Sequence, residues 1–221
     1  MRDPVAKVER RRAVTATEYE RARTGLVLID PYNEFLADAG KVWQLVREVA
    51  DSVELHRHLG EVLGAVRAAG IQVFVAPHRR WRPGDFDNWK HLTAGQRAIQ
   101  RDQMLADGSW GAQWHPELGP KPGDVVAHEH WVSGGFANTD LDFQLKQHGV
   151  EKIILVGLVA HTCVESTGRF GAELGYHVTL VKDATAAGSA EAMHAAHNIT
   201  GPTFAHSIVS TRELLAALPT R

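Results

Sequence analysis

Cys163 is the sole cysteine among 221 residues, and its neighbours place it where a reactive thiol is useful. It follows the apolar run Ile153-Ile154-Leu155-Val156, then Gly157 and the loop Leu158-Val159-Ala160-His161-Thr162. It precedes a stretch of helical character at residues 164–174. A thiol in the first turn of a helix meets the positive end of the helix dipole and unpaired backbone N–H groups, and both favour thiolate. The competing reading of a lone cysteine is inert core filling. A thiol nucleophile also needs a base, and the base needs a neighbour that sets its ionisation. Two other places offer such groups. Asp30 ends the apolar run Leu26-Val27-Leu28-Ile29, and His128-Glu129-His130 follows Asp124-Val125-Val126-Ala127.

All three places are ends of predicted strands. Apolar runs of four to six residues, each stopped by a polar group, are the pattern of buried parallel strands. Further strands are expected at residues 71–77, 176–181 and 205–209. Helices are expected at residues 46–69 (stopped by Gly70), 140–148, 164–174 and 190–198, and a last one begins at Thr211 with Glu213 in its first turn. Strands alternating with helices predict an α/β fold, a mostly parallel sheet covered on both faces. In such a sheet the carboxyl ends of the strands share one edge. Asp30, the His128-Glu129-His130 cluster and Cys163 can therefore converge despite their separation in sequence.

A chain of this length suits one domain, spanning residues 1–221. Its Arg-rich opening, residues 1–23, lacks the apolar stretch of a secretory signal and reads as a solvated arm. The net charge of −2 gives no general attraction to nucleic acid or to anionic membranes. No window offers an uninterrupted apolar stretch of membrane-spanning length, and a lone cysteine excludes an internal disulfide. A cytoplasmic protein acting on a small molecule is expected. There is no glycine-rich phosphate loop after the first strand, which disfavours a nucleotide-binding module.

Residues 78–122 break the pattern. Trp81, Trp89, Trp110 and Trp114 lie there among Pro, Gly, Asp and His, and so long an irregular stretch is usually functional or carries short elements of its own. These aromatics, with Phe35, can wall a pocket or pack a subunit interface. His78, Arg79 and Arg82 can recognise a carboxylate or form a solvated rim.

The segments Leu26-Val27-Leu28-Ile29-Asp30-Pro31-Tyr32-Asn33-Glu34-Phe35, Gly134-Gly135-Phe136-Ala137-Asn138-Thr139-Asp140-Leu141 and Gly157-Leu158-Val159-Ala160-His161-Thr162-Cys163-Val164-Glu165-Ser166-Thr167 resemble the isochorismatase-like cysteine hydrolase superfamily. Gly175-Tyr176-His177-Val178 followed by Asp183-Ala184-Thr185-Ala186-Ala187 fits the same pattern. The resemblance runs from about Gly25 to the C-terminus and is weakest between His78 and Trp114. It implies a Rossmann-like three-layer α/β/α sandwich, a homo-oligomer (dimer or tetramer), and catalysis by an Asp, a Lys and a Cys. Asp30 and Cys163 match two of these. The lysine position falls on His130, followed by Trp131, and no lysine lies between Lys121 and Lys146. Either His130 takes the cationic role, or Glu129 or His128 does after a shift of register. The resemblance also implies a cis peptide at Leu158–Val159, with the Val159 and Cys163 N–H groups forming an oxyanion hole. Phe35, Trp81, Trp131 and His161 are the candidate substrate contacts.

No cofactor is expected, and no metal. Where some relatives hold a metal, this chain has Pro77-His78-Arg79-Arg80-Trp81, with two cations beside one histidine. His194 and His197 share a helix face without an evident third ligand. The function implied is hydrolysis of a small amide, ureido or carbamoyl C–N bond through a thioester. The alternatives are an isochorismatase-type vinyl-ether hydrolase and a non-catalytic binder or thiol redox sensor on the same fold.

Overall fold

The structure is a computed structural model that describes residues 19–220. In chain order the elements are β1 (Thr24–Ile29), α1 (Asn33–Leu36), α2 (Lys41–Ser52), α3 (Leu55–Ala68), β2 (Gln72–Ala76), α4 (Ala94–Asp102), β3 (Val125–Val126), α5 (Leu141–Gln147) and β4 (Lys152–Leu158). A π-turn (Ala160–Val164), α6 (Glu165–Glu173), β5 (His177–Ala186), α7 (Ala190–His194), a second π-turn (Ala195–Thr200), a 3-10 turn (Gly201–Thr203), β6 (Ser207–Val209) and α8 (Thr211–Ala217) complete it.

The six strands form one sheet in the order β3-β2-β1-β4-β5-β6, and every neighbouring pair is parallel. The chain winds outward from β1 through β2 to β3, then returns to lay β4 against the other side of β1. The order therefore reverses between β1 and β4, and the crevice beyond their carboxyl ends is where open α/β sheets bind ligands. Asp30 follows β1, and Cys163 lies in the turn after β4.

Side-chain alternation assigns each strand to both faces. On β1, Leu26 and Leu28 join one apolar cluster with Val46, Leu59, Leu63 and Val66 of α2 and α3. Val27 and Ile29 join the other, with Leu141 and Leu145 of α5. β4 does the same with Ile154 and Val156 on one side and Ile153 and Leu155 on the other. Both strands are buried on both faces, so they read in sequence as unbroken apolar runs.

The α/β expectation is borne out, and several boundaries shift for physical reasons. The helix expected over residues 46–69 is two helices, α2 and α3, broken at Glu54, whose φ is 50°. Both halves face the same cluster, so the apolar spacing runs on across the break. The strand expected to close before Lys182-Asp183 continues to Ala186. The Asp183 carboxylate is occupied by the Thr211 N–H and hydroxyl at the start of α8, at 2.7 and 2.9 Å. Within residues 78–122 lies α4, capped by a reciprocal Thr93–Gln96 box; it buries only Gln96, so no apolar stripe announces it. Residues 1–18 of the expected solvated arm lie outside the described residues. Residues 19–23 are tied down: Tyr19 is buried with its hydroxyl 3.2 Å from Thr179 Oγ1, and Arg21 Nε donates to the Ala69 carbonyl at 2.7 Å.

Gly157 of β4 pairs with Ile29 of β1. Its φ is +108°, and a Cβ placed there would stand 2.2 Å from the Ile29 carbonyl oxygen. Only glycine combines that backbone with that approach. Gly157→Ala is expected to cost at least about 3 kcal/mol or to prevent folding; denaturant melts read this directly, and a native-like midpoint would contradict it.

Candidate active site

Three local devices bring the site together. At the end of β1, Asp30 adopts a left-handed backbone (φ 54°) while its N–H still donates to the Ala76 carbonyl at 3.2 Å. The turn out of the ladder re-aims the carboxylate across the sheet edge. Beyond β2 and β3 the two chains stay paired: the His130 N–H donates to the Pro77 carbonyl, and the Arg79 N–H donates to the His130 carbonyl, both at 2.8 Å. This pairing sets His130 over the end of β1. After β4, the Leu158–Val159 peptide is cis, as the resemblance implies, and the π-turn follows. The Thr162 and Val164 N–H groups both return to the Val159 carbonyl, at 3.1 and 3.2 Å, fixing the loop that carries Cys163. The Thr167 hydroxyl donates to the Cys163 carbonyl at 2.6 Å and accepts from the Gly135 N–H at 3.0 Å, which ties the cysteine to the Gly134-Gly135 segment.

The outcome is a buried trio. His130 Nε2 lies 3.1 Å from Asp30 Oδ1, with the two side chains 1% and 0% exposed. One ligand-type atom from each of Asp30, His130 and Cys163 lies within 4.8 Å of the others, and Cys163 is itself buried. Asp30 Oδ2 and His130 Nδ1 are buried and met by no N–H or O–H donor or acceptor among the described residues. Of the three candidates for the lysine position, only His130 joins the trio. Glu129 points away and accepts from Arg80 at 2.6 Å and from Arg79 at 3.4 Å. His128 is exposed and lies 3.8 Å from Asp140.

The thiol departs from the expectation of a helix-favoured thiolate. Burial pushes its pKa well above the ordinary value, and the negative charge and hydrogen bond of Asp30 push it further. Contacts from the Thr162 hydroxyl and the Val159 backbone pull the other way and are outweighed. Desolvation disfavours the ion more than the first-turn dipole favours it. The resting cysteine is a neutral thiol beside a carboxylate.

His78 is no part of a carboxylate-binding rim: it is buried, with its ring edge-on to His130 at 5.0 Å between centroids. Burial first, and the neighbouring His130 second, hold its pKa below the usual value of 6.5, so it is a neutral support for the His130 ring. Arg79 and Arg82 are likewise committed, Arg79 to Asp85 and Glu129 and Arg82 to Asp107. Arg80 lies over the rings of Tyr32 and Trp114, which stack 4.5 Å apart, and the Tyr32 hydroxyl donates to the His78 carbonyl at 3.0 Å. Burial raises the Tyr32 pKa, so it stays a neutral donor.

The expected substrate contacts are dispersed. Phe35 is buried in the cluster under α2 and α3. Trp81 is buried, bracketed by backbone bonds to Leu105 and Asp107. Trp131 is half-buried beneath the Arg79 guanidinium, 4.7 Å from its ring, and lines an open depression with Arg80, Glu129 and Asn138. His161 is exposed beside Gly188. Sequence reasoning missed Thr167, although its position four residues after Cys163 is the spacing at which a helical hydroxyl reaches back to a carbonyl. The support role of His78 left no signal in sequence, because it depends on pairing beyond the end of β3.

A parallel sheet with this switch point carries a buried Asp, His and Cys together beyond the carboxyl ends of its strands. A family profile described as the isochorismatase domain matches residues 24–211, and the chain belongs to that family of hydrolases. It is 31% identical over 173 residues to the ureidoacrylate amidohydrolase RutB of Pantoea ananatis, covering 74% of this chain and 69% of that protein. It is 30% identical over 187 residues to the RutB of Methylobacterium radiotolerans, covering 79% and 71%. Among solved structures, a cysteine hydrolase from Pseudomonas syringae pv. phaseolicola superposes with a TM-score of 0.74 at 26% identity, covering 90% of this chain and 93% of that one.

His78 gives this site a pH signature. With its pKa depressed in the folded state, the unfolded chain takes up a proton below about pH 6.5 that the folded chain refuses. The stability it contributes is present above that pH and is lost as the pH falls through the depressed folded value. The midpoint of thermal unfolding is expected to drop on acidification below pH 6.5, with a shallower drop in His78→Gln. An identical slope in the two proteins would contradict this.

Proposed function

We propose that the protein hydrolyses a carbonyl C–N bond in a small ureido, carbamoyl or simple amide compound through a thioester or thiocarbamate on Cys163. The observation that carries the proposal is the buried trio, in which the 3.1 Å contact with His130 occupies one oxygen of Asp30 and leaves the other without an N–H or O–H partner. That free oxygen takes the thiol proton as Sγ attacks the carbonyl carbon. The oxyanion is held by the Val159 and Cys163 N–H groups. Asp30 then passes the proton to the departing nitrogen, the C–N bond breaks, and the amine or ammonia leaves. Water, deprotonated by Asp30, attacks the acyl–sulfur bond, and the thiol regains its proton as the acid departs. His130 orients Asp30 throughout by its ring nitrogen, at the position where the family pattern has a lysine.

The neutral resting thiol suits this cycle, because the base stands beside it and the proton moves only when substrate arrives. It argues against a redox sensor, which needs an exposed thiolate. A vinyl-ether hydrolase has no need of a nucleophilic thiol beside a carboxylate. The substrate range rests on the amidohydrolase relatives. Phe35, Trp81, Trp131 and His161 stand as candidates for shaping the pocket, and no metal or other cofactor is required by these steps. A homo-oligomer is part of the same reading, supported by exposed Phe143 and Phe170 on the face of the sheet that carries α5 and α6. So is cytoplasmic residence, where an unpaired thiol persists.

A panel of ureido acids, N-carbamoyl amino acids and simple amides, assayed for ammonia or amine release, tests the reading. Cys163→Ser and Asp30→Asn are expected to lower kcat at least about a thousandfold while remaining folded. His130→Ala is expected to lose about a hundredfold, mostly in kcat, with partial recovery in His130→Lys. His128→Ala is expected to leave kcat unchanged. Full activity in Cys163→Ala, or a large loss in His128→Ala, would overturn the assignment.

A further inference from the structure

We infer that Asp30, His130 and Cys163 form a binding site for a thiophilic divalent cation of the zinc type, and that the ion shuts the enzyme off reversibly. Three different donors meet there: a carboxylate oxygen, an imidazole nitrogen and a sulfur, all within 4.8 Å of one another and all buried. Among the described residues this is the one cluster of three or more His, Cys, Asp or Glu side chains that meets in this way. Bonds of about 2.0–2.2 Å to N and O and about 2.3 Å to S, in a tetrahedron, put the donors roughly 3.3–3.6 Å apart. The contact between Asp30 Oδ1 and His130 Nε2, at 3.1 Å, is about 0.2 Å short of that range, and any separation of up to 4.8 Å from sulfur needs closing by about 1.2–1.5 Å at most.

A second observation points the same way. Asp30 is fully buried, yet its Oδ2 is met by no N–H or O–H donor, so it keeps a lone pair for a ligand. The cations nearby are spent: Arg79 on Asp85 and Glu129, Arg80 on Glu129. The decisive change is the residue type at position 130. A lysine there places a fixed ammonium against Asp30 and repels a divalent ion, whereas an imidazole is itself a ligand. Three protein ligands leave a fourth position for water.

Binding balances simply. The Cys163 S–H bond breaks, its proton goes to solvent, and a metal–sulfur bond forms. His130 gives up its Nε2–H···Oδ1 hydrogen bond, carries its proton on Nδ1, and turns the Nε2 lone pair to the ion. Nucleophile and base are both occupied, so turnover stops until a chelator removes the metal. The metal site shares its three side chains with the proposed hydrolysis, but metal binding stands apart from that reading because it is measured without any substrate.

The test is titration of the chelator-treated protein with Co²⁺, then displacement by Zn²⁺. One equivalent is expected to give a thiolate-to-cobalt charge-transfer band in the near ultraviolet and intense visible bands of a tetrahedral ion. Zn²⁺ should abolish both and release a proton to the buffer. The charge-transfer band should vanish in Cys163→Ser, and affinity should fall at least about tenfold in Asp30→Asn and His130→Lys, each checked for folding by circular dichroism. Absence of the bands in the unaltered protein, or bands unchanged in Cys163→Ser and His130→Lys, would overturn the site. Where hydrolysis is measured, Zn²⁺ inhibition reversed by chelator supports the switch, and full activity of the metal-loaded protein overturns it. Should no substrate be turned over, the hydrolytic reading fails while the cobalt bands still decide for or against the metal site.

Discussion

The hydrogen bond between His130 and Asp30 is the interaction around which the rest of the site is arranged. A carboxylate with no exposed surface costs several kcal/mol unless a donor or a positive charge compensates it. Here the compensation comes from a ring nitrogen, with the Cys163 thiol beside it, and the ring is delivered across the sheet edge by the pairing of His78 with His130 beyond the ends of β2 and β3. Much of the surrounding structure serves that delivery. The left-handed turn at Asp30 aims its carboxylate, His78 supports the His130 ring, and Tyr32 holds the His78 carbonyl. Glu129, the acid next door, is drawn off by Arg79 and Arg80. Were it free, a second carboxylate would compete for the same imidazole.

The same burial explains the chemistry of Cys163. In an apolar cluster beside a carboxylate, the thiol is less acidic than in water, and the first-turn dipole does not reverse that. In the proposed cycle the trio works as a unit in which one proton is exchanged between neighbours, not as an independently activated thiolate. The exchange needs the donors pre-positioned, which is why the loop before Cys163 is fastened twice, through the Val159 carbonyl and through Thr167. It also explains how one histidine changes the character of the site. Imidazole replaces ammonium as the partner of Asp30, and with it comes a lone pair that a metal can use.

The sheet was legible in sequence because β1 and β4 are buried on both faces and so appear as unbroken apolar runs. Asp30 and Cys163 were legible as the polar groups that follow those runs, and the edge they share follows from parallel pairing. The choice among His128, Glu129 and His130 was not legible. Strand alternation puts His128 and His130 on one face, and only the extended pairing with Pro77 and Arg79 shows that His130 reaches the centre. The roles of His78, Arg79 and Arg82 were hidden for the same reason, since each is set by a partner distant in sequence. The Trp-rich segment was legible as irregular and no further. Its helix α4 lacks an apolar stripe, and its order comes from polar ties such as Glu34, which accepts from the Leu105 and Lys41 N–H groups at 3.1 and 2.7 Å.

The proposed chemistry stands or falls on Cys163 attacking a carbonyl carbon and carrying part of the substrate in a covalent bond. Intact-protein mass spectrometry after rapid acid quench, with a turned-over ureido or amide substrate, tests this most directly. The expected result is a mass increment equal to the acyl or carbamoyl part of the substrate, localised by fragmentation to Cys163 and absent from Cys163→Ala. An increment on another residue, or turnover that continues in Cys163→Ala, would contradict it.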